Sequence, residues 1–241
     1  MVKLMPPLLS LVIPCYNEAG NLSRLVERCL GVAKRGDIEV ILVDNGSTDE
    51  TPKALPPLLA GHHALRTVRV DWNQGYGFGI LSGLRAADGS ILAWTHADLQ
   101  TDPSDVLIGL DLFQHGAGEN LFVKGSRYGR PLRDLAFTWG MSAFEWLILS
   151  TPMRDINGQP TIFSRSFFES WSNPPHDFSL DLYAYHTAVK AGLVVRRFPV
   201  RFGPRLSGAG HNETLAAKLK YTQHTMRYSL DLRRRLQSGP D

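Results

Sequence analysis

The chain has 241 residues, 43% hydrophobic and 20% charged, an ordinary globular composition that excludes a disordered or low-complexity polypeptide. A net charge of +3 suits phosphate-bearing or anionic partners without requiring nucleic acid, and two cysteines, Cys15 and Cys29, are too few for a disulfide framework or a cysteine-built zinc site. No run of about 18 apolar residues occurs, and the opening MVKLMPPLLSLVIP is too brief and too broken by proline for a secretory leader, so a soluble protein of a reducing compartment, or one held to a membrane from outside, is expected.

In chain order, Leu8 to Pro14 and Ile38 to Val43 are continuous apolar runs suited to strands buried on both faces. Between them Asn21 is an N-cap candidate for a helix over 22–33, where Leu22, Leu25, Val26, Cys29 and Leu30 recur at helical spacing. A short helix is predicted over 48–59, a strand over 65–72, a helix over 79–87 and a strand over 90–95. This alternation predicts an α/β fold with a mostly parallel central sheet flanked by helices, and ligands at the carboxyl ends of the strands. The loops PCYNE, DNGSTDET, NQGYGFG and HADLQTDP should therefore gather on one edge. Further along, helices are predicted over 104–114 and 135–150, a short strand over 121–124, and a last helix over 213–236. With no repeat and no linker-like break, the expected organisation is one domain over 1–210 with a helical tail over 211–241.

Several motifs can carry chemistry. His96, Asp98 and Gln100 alternate at a strand end and so share a face, where the carboxylate and amide oxygens suit a hard divalent cation. His96 would bring nitrogen, better suited to manganese or zinc, or be a hydrogen-bonded neighbour. Asp44 closes an apolar strand, where an acid is costly unless exposed or paired, so it can accept hydrogen bonds from a base or ribose. Ser47 to Asp49 read as turn and cap residues. Gly75, Gly77 and Gly79 would let backbone amides approach a diphosphate, but the spacing departs from the dinucleotide fingerprint, because Ile80 holds its last position. Asp177 and Asp181 sit four apart at a helix start, the first as a cap and the second as a candidate general base. Lys124, Arg127, Arg130 and Arg133 form one basic string, and Arg196, Arg197, Arg201 and Arg205 another, both able to meet phosphate. The segment LAFTWGMSAFEWLIL holds Phe137, Trp139, Phe144 and Trp146 with the single charge of Glu145; flanked by Arg130 and Arg133, it suits either an interfacial helix on anionic lipid or a core helix.

Taken in this order, LVIPCYNEAGNL, VILVDNGSTDET, NQGYGFG, HADLQTDP, KGSRY and DINGQPTIFSR resemble family 2 glycosyltransferases of the GT-A fold, closest to the dolichyl-phosphate mannose synthase-like branch, over about residues 8 to 208. The resemblance implies inverting transfer of a sugar from a GDP- or UDP-linked donor, with Mg2+ or Mn2+, to a polyprenyl (dolichyl-like) phosphate. A soluble glycan or small molecule as acceptor, or a catalytically weakened nucleotide-sugar binder, are the alternatives. Carried over by motif, Pro14, Tyr16, Glu18, Asp44, Asn73, Gly75, Asp98, Gln100 and Arg205 would line the donor side. Asp98 and Gln100, with His96, would hold the metal, and Arg127, Asp155 and Gln159 would face the acceptor; Asp98, Arg127 and Asp181 would carry the chemistry. Two departures stand out: His96 replaces the first acid of the usual Asp-x-Asp, and Asn45 replaces a second acid after Asp44. Some members of this branch carry C-terminal membrane helices, and this sequence resembles the soluble catalytic form. A cytoplasmic protein is implied, with peripheral contact to the cytoplasmic membrane face; no nucleic-acid partner is expected and self-association is left open.

Overall fold

The computed structural model describes residues 6–116, 120–129, 132–205, 223 and 225–234. Strand β1 (Leu9–Cys15), helix α1 (Leu22–Ala33), β2 (Ile38–Asn45), α2 (Thr51–Leu59), β3 (Leu65–Val70), α3 (Tyr76–Ala86), β4 (Ile91–Trp94) and α4 (Asp105–Gln114) follow the predicted alternation. After them come β5 (Leu121–Tyr128), α5 (Leu132–Leu149), β6 (Thr161–Ser164), α6 (Arg165–Glu169), α7 (Leu180–Lys190) and β7 (Val194–Arg201). Residues 225–234 are also helical; the rest of the expected 213–236 helix, Arg130 and the side chains of Arg133 and Phe137 lie outside the described residues.

The seven strands form one sheet in the order β3-β2-β1-β4-β6-β5-β7. β1 runs parallel to β2 and β4, β2 to β3, and β5 to β7, while β6 is antiparallel to both β4 and β5. Because β1 and β2 are covered on both faces, Leu9, Leu11, Val12, Ile13, Val40, Ile41, Leu42 and Val43 have no exposed surface. Each such side chain contributes roughly 1.5–3 kcal/mol relative to exposure. One apolar layer lies between the sheet and α1, α2 and α4; the other lies between the sheet and α3, α6 and α7. Gly83 lets α3 press onto the sheet, since a Cβ there would stand 2.3 Å from a Val12 methyl.

The differences from the sequence expectation have local causes. Helix α2 starts at Thr51, three residues later than expected, because the preceding loop is tied to the 17–19 loop instead of coiling: Asn17 Oδ1 accepts from the Thr48 and Asp49 amides at 2.8 and 3.3 Å, and Asp49 Oδ2 from the Ala19 amide at 3.2 Å. Asn21 does not cap α1 with its side chain; its amide group donates to Glu18 Oε2 at 2.5 Å. Strand β5 runs to Tyr128, not Lys124, so the whole of KGSRY is strand. Strands β6 and β7 were not expected from the pattern, β6 being four residues long and β7 carrying Arg196 and Arg197 side by side and a proline at 199.

The parallel register carries the ends of β1 to β4 to one edge, with Cys15 beside Asp44 and Val12 beside Trp94. The antiparallel β6 has the converse effect, since its beginning, not its end, lies there. Loop 155–160 therefore joins the four N-terminal loops at that edge.

Candidate functional site

Four contacts join the edge loops into one surface. Asn17 and Glu18 donate backbone N–H groups to Ser47 Oγ and Thr51 Oγ1 at 3.1 and 2.9 Å. Asn45 Nδ2 donates to the Gly75 carbonyl at 3.0 Å, and the Gly203 amide to the Gln100 carbonyl at 2.8 Å.

At the end of β4, Asp98 is 7% exposed. Its Oδ1 accepts from the Gln100 amide at 3.1 Å, and its Oδ2 takes Arg205 Nη2 at 2.8 Å. Arg205 Nη1 stands 3.9 Å from Glu18 Oε1, so one guanidinium lies between two acids from different loops. Burial pushes the Glu18 carboxyl above its ordinary value, Asp98 adds to that, and Asn21 and Arg205 oppose it. Gln100 Nε2 donates to the Gly203 carbonyl at 3.2 Å. His96 is half-buried, 5.8 Å from the Tyr76 ring between centroids. Burial lowers its pKa, against the pull of the Asp98 and Asp181 carboxylates.

Among the described residues no three His, Cys, Asp or Glu side chains converge as a metal cluster. Asp98 nonetheless already holds a cationic group on Oδ2, and Gln100 follows it on the same turn. The pair fits a hard divalent ion, whose remaining oxygens a bound diphosphate would supply.

At the end of β2, Asp44 is 2% exposed, accepts the Ser47 amide on Oδ1 at 3.0 Å, and pairs through Oδ2 with the exposed Arg69 at 3.5 Å. No hydrogen-bond donor reaches Oδ2 among the described residues. Pro14 and Tyr16 are half-buried on the same edge. Asn73 Oδ1 accepts the Gly75 amide at 2.8 Å in a local turn. Gly75, at φ +110°, is required by its packing, because a Cβ there would meet the His176 carbonyl oxygen at 2.3 Å.

Across the edge lies a second cluster. Arg127 clamps Asp155, its backbone amide on Oδ2 at 2.9 Å and its Nε and Nη2 on Oδ1, the former at 2.9 Å. Arg197 Nη2 lies 3.7 Å from Asp155 Oδ2. Burial raises the Asp155 pKa, but the hydrogen bonds and charge of Arg127 outweigh it and hold the carboxyl below its ordinary value. Gln159, fully buried, donates to the Tyr76 hydroxyl and lies 3.5 Å from Asp181 Oδ1. Asp181 opens α7 at 2% exposure, with Lys124 Nζ 3.6 Å away. Asp177 caps the turn before the helix, its Oδ1 accepting the Ser179 amide at 2.7 Å.

Lys124, expected only as one of a phosphate-binding basic string, and Tyr76, not among the expected site residues, belong to this cluster. Lys124 has no exposed surface and donates to Thr161 Oγ1 at 2.8 Å; burial brings its pKa down to about 8 against the attraction of Asp181. A lysine directly after Leu121, Phe122 and Val123 is the signal, since a charge that continues a buried strand needs a partner. Tyr76 stacks on Phe178 at 4.7 Å between centroids and bridges Gln159 towards His96. The edge thus presents an acid–guanidinium group at β4 and an acid–cation network at β5 and α7, separated by Tyr76 and His96.

Comparison with known proteins agrees with this architecture. The family model for glycosyl transferase family 2 matches residues 10–172. An undecaprenyl-phosphate 4-deoxy-4-formamido-L-arabinose transferase of Proteus mirabilis is 35% identical over 101 residues, 40% of this chain and 31% of that protein. A dodecaprenyl-phosphate galacturonate synthase of Rhizobium johnstonii is 38% identical over 101 residues, 41% and 30% of the two chains. Glycosyltransferase AglD of Haloferax volcanii is 27% identical over 208 residues, 81% of this chain and 33% of the relative. The chain thus spans about a third of the length of these relatives. Among solved structures, glucosyl-3-phosphoglycerate synthase from Mycobacterium tuberculosis, in complex with Mn2+, UDP and glucosyl-3-phosphoglycerate, superposes with a TM-score of 0.71 at 19% identity, over 98% of this chain and 81% of that one. With its sheet order, its loops gathered at the carboxyl edge and a family match over most of its length, the chain has the GT-A fold and belongs to glycosyl transferase family 2.

Proposed function

We propose that the protein transfers a sugar, with inversion, from a nucleotide-diphosphate donor to a polyprenyl phosphate, as in the dolichyl-phosphate mannose synthase-like branch. The observation that carries this is the paired arrangement at the edge: Asp98 with Arg205 at the end of β4, and Arg127 across from it on β5. Breaking the bond between sugar and diphosphate builds negative charge on the leaving group, and Arg205 stands where it can meet that charge. A divalent ion, Mg2+ or Mn2+, held by Asp98 and Gln100 would offset the rest. His96 is an auxiliary neighbour of this pair. Asp44, Glu18, Pro14, Tyr16, Asn73 and Gly75 form the nucleoside end, and Arg127, positioned by Asp155, faces the acceptor phosphate with Gln159 beside it. A phosphate acceptor is already ionised at neutral pH and needs no strong base, so Asp181 takes a proton only from a hydroxyl acceptor. The names of the Proteus and Rhizobium relatives, both prenyl-phosphate enzymes, support this acceptor class.

The test is transfer from a panel of UDP- and GDP-sugars to a short polyprenyl phosphate with Mg2+ or Mn2+, read as lipid-linked sugar. Transfer only to soluble acceptors would replace the lipid reading, and neither transfer nor donor hydrolysis above background would leave a nucleotide-sugar binder. For the nucleoside end, Asp44→Asn keeps an oxygen for the Ser47 amide but removes the charge. It is expected to weaken nucleotide binding about tenfold, and unchanged affinity by calorimetry would show Asp44 to be a turn residue.

Peripheral membrane contact through α5 belongs to the same proposal. No helix among the described residues is long and apolar enough to cross a membrane. Trp139 is 72%, Trp146 61% and Leu147 75% exposed, an aromatic and aliphatic surface suited to the headgroup boundary on the cytoplasmic face. Trp139→Glu with Trp146→Glu is expected to abolish co-sedimentation with anionic vesicles while the protein stays folded; retained binding would retire the membrane contact.

A further inference from the structure

A sugar that passes with inversion from a diphosphate at one group of side chains to a phosphate at another lies between the two groups while its bond is exchanged. Two side chains stand there. His96 feels the charges of Asp98 and Arg205 from the first group and of Asp181 and Arg127 from the second. Tyr76 is half-buried, with its ring 5.8 Å from that of His96 and its hydroxyl on the Gln159 amide. The Tyr76 ring stacks on Phe178 at 4.7 Å, and the loop that carries it is gripped from both sides. On one side the Phe78 amide donates to the His176 carbonyl at 2.9 Å, and a Cβ on Gly77 would stand 2.6 Å from the Pro175 carbonyl oxygen. On the other side Asn45, 2% exposed, donates from Nδ2 to the Gly75 carbonyl at 3.0 Å, and a Cβ on Gly79 would stand 2.8 Å from that same nitrogen.

We propose that Tyr76 faces the transferred sugar and helps to select it, and that Asn45 is its positioning residue. This rests on the reading above of a nucleotide-sugar donor at Asp98, and it adds two residues that the reading did not use. A pyranose presents an apolar C–H face bordered by hydroxyls, and an aromatic ring with a polar tip matches both. The residue at 45 suits its role by its chemistry. The Gly75 oxygen can only accept, so the group that faces it has to donate. The acid that the family usually has at this position would set a carboxylate against a carbonyl. The amide at 45 and the glycine-rich loop therefore belong together in this chain.

The experiment measures by calorimetry how much more tightly the full chain binds UDP-glucose than UDP, and GDP-mannose than GDP, with Tm read alongside. The nucleotide diphosphate cancels in each ratio, which leaves the contribution of the sugar. Tyr76→Ala is expected to lower the ratio of the pair that the parent protein favours about tenfold, with the free diphosphate bound within about threefold of the parent. Tyr76→Phe keeps the ring on Phe178 and is expected to fall between the two. Asn45→Asp is expected to share the loss at neutral pH and to recover, relative to the parent, towards about pH 5, where a buried acid beside a carbonyl takes up a proton and can donate it. Asn45→Leu is expected to lose the same ratio without recovery, and neither change at 45 is expected to add to Tyr76→Ala. An unchanged ratio in Tyr76→Ala, equal losses for sugar nucleotide and diphosphate, or a parent protein that gains nothing from either sugar would overturn the sugar contact. A full ratio in Asn45→Leu, or a loss that adds to that of Tyr76→Ala, would overturn the positioning role. A parent protein that binds no nucleotide of the panel would overturn the donor reading and this inference with it. The expected ratios without transfer to any polyprenyl phosphate would instead count against the acceptor reading alone and leave Tyr76 and Asn45 in place.

Discussion

An Asp98→Asn variant is expected to lose metal-stimulated sugar transfer by about a hundredfold or more in kcat, the scale of removing one preorganised group from a developing charge. Asparagine fills the same volume and keeps an oxygen for the Gln100 amide, so folding is expected to survive. What it lacks is the charge that would hold a divalent cation and that holds Arg205 at 2.8 Å. With His96 where the family usually has an acid, Asp98 lacks the neighbouring carboxylate of an Asp-x-Asp pair to compensate. By the same argument His96→Asp is expected to tighten Mg2+ support, while His96→Ala costs little unless the ring ligates manganese or zinc. Metal titrations of donor binding and turnover for the three variants provide the check. A folded Asp98→Asn protein with full metal-stimulated activity would remove Asp98 from the site.

Lys124→Met is expected to destabilise the fold by about 3–5 kcal/mol, the usual cost of breaking a buried ion pair from one side. Both partners lie deep, with side-chain exposures of 0% and 3%, so solvent does little to screen the loss. The substitution leaves Asp181 with the Gln159 amide at 3.5 Å, too long for a strong hydrogen bond, and takes the ammonium from Thr161 Oγ1. For a domain of this size the corresponding fall in Tm is of the order of 10 °C. Adding Asp181→Leu removes the stranded charge and is expected to recover most of the stability, since apolar replacement of both partners of a buried pair is often neutral or stabilising. Urea unfolding of the single and double variants measures this. A loss below about 1 kcal/mol for Lys124→Met would show that the pair is not what holds this part of the sheet.

The β1–β4 half of the edge was largely legible in the sequence because its grammar is local. Apolar runs ending in Asp44 and in His96-Ala97-Asp98 mark strand ends, and a helix between parallel strands forces those ends to one edge. The β5–β7 half was less legible for a physical reason. Strand β6 is four residues long and buried throughout, so it has no alternation to betray it, yet its antiparallel insertion brings 155–160 to the edge. Lys124 and Arg197 looked like members of scattered basic strings until the β5–β7 register paired them in the sheet.

By itself, then, the sequence determined the strand and helix alternation, the edge at which the loops gather, and the residue types present there, since periodicity and strand-end chemistry need no distant partner. Only the tertiary structure decided which charges face inwards. Arg205 crosses more than a hundred residues to reach Asp98, Lys124 is buried against Asp181, and Glu145 is buried while its neighbours Trp146 and Leu147 face out. Such pairings depend on the cost of desolvating each group against what the fold sets opposite it, and that balance exists only once the sheet has closed.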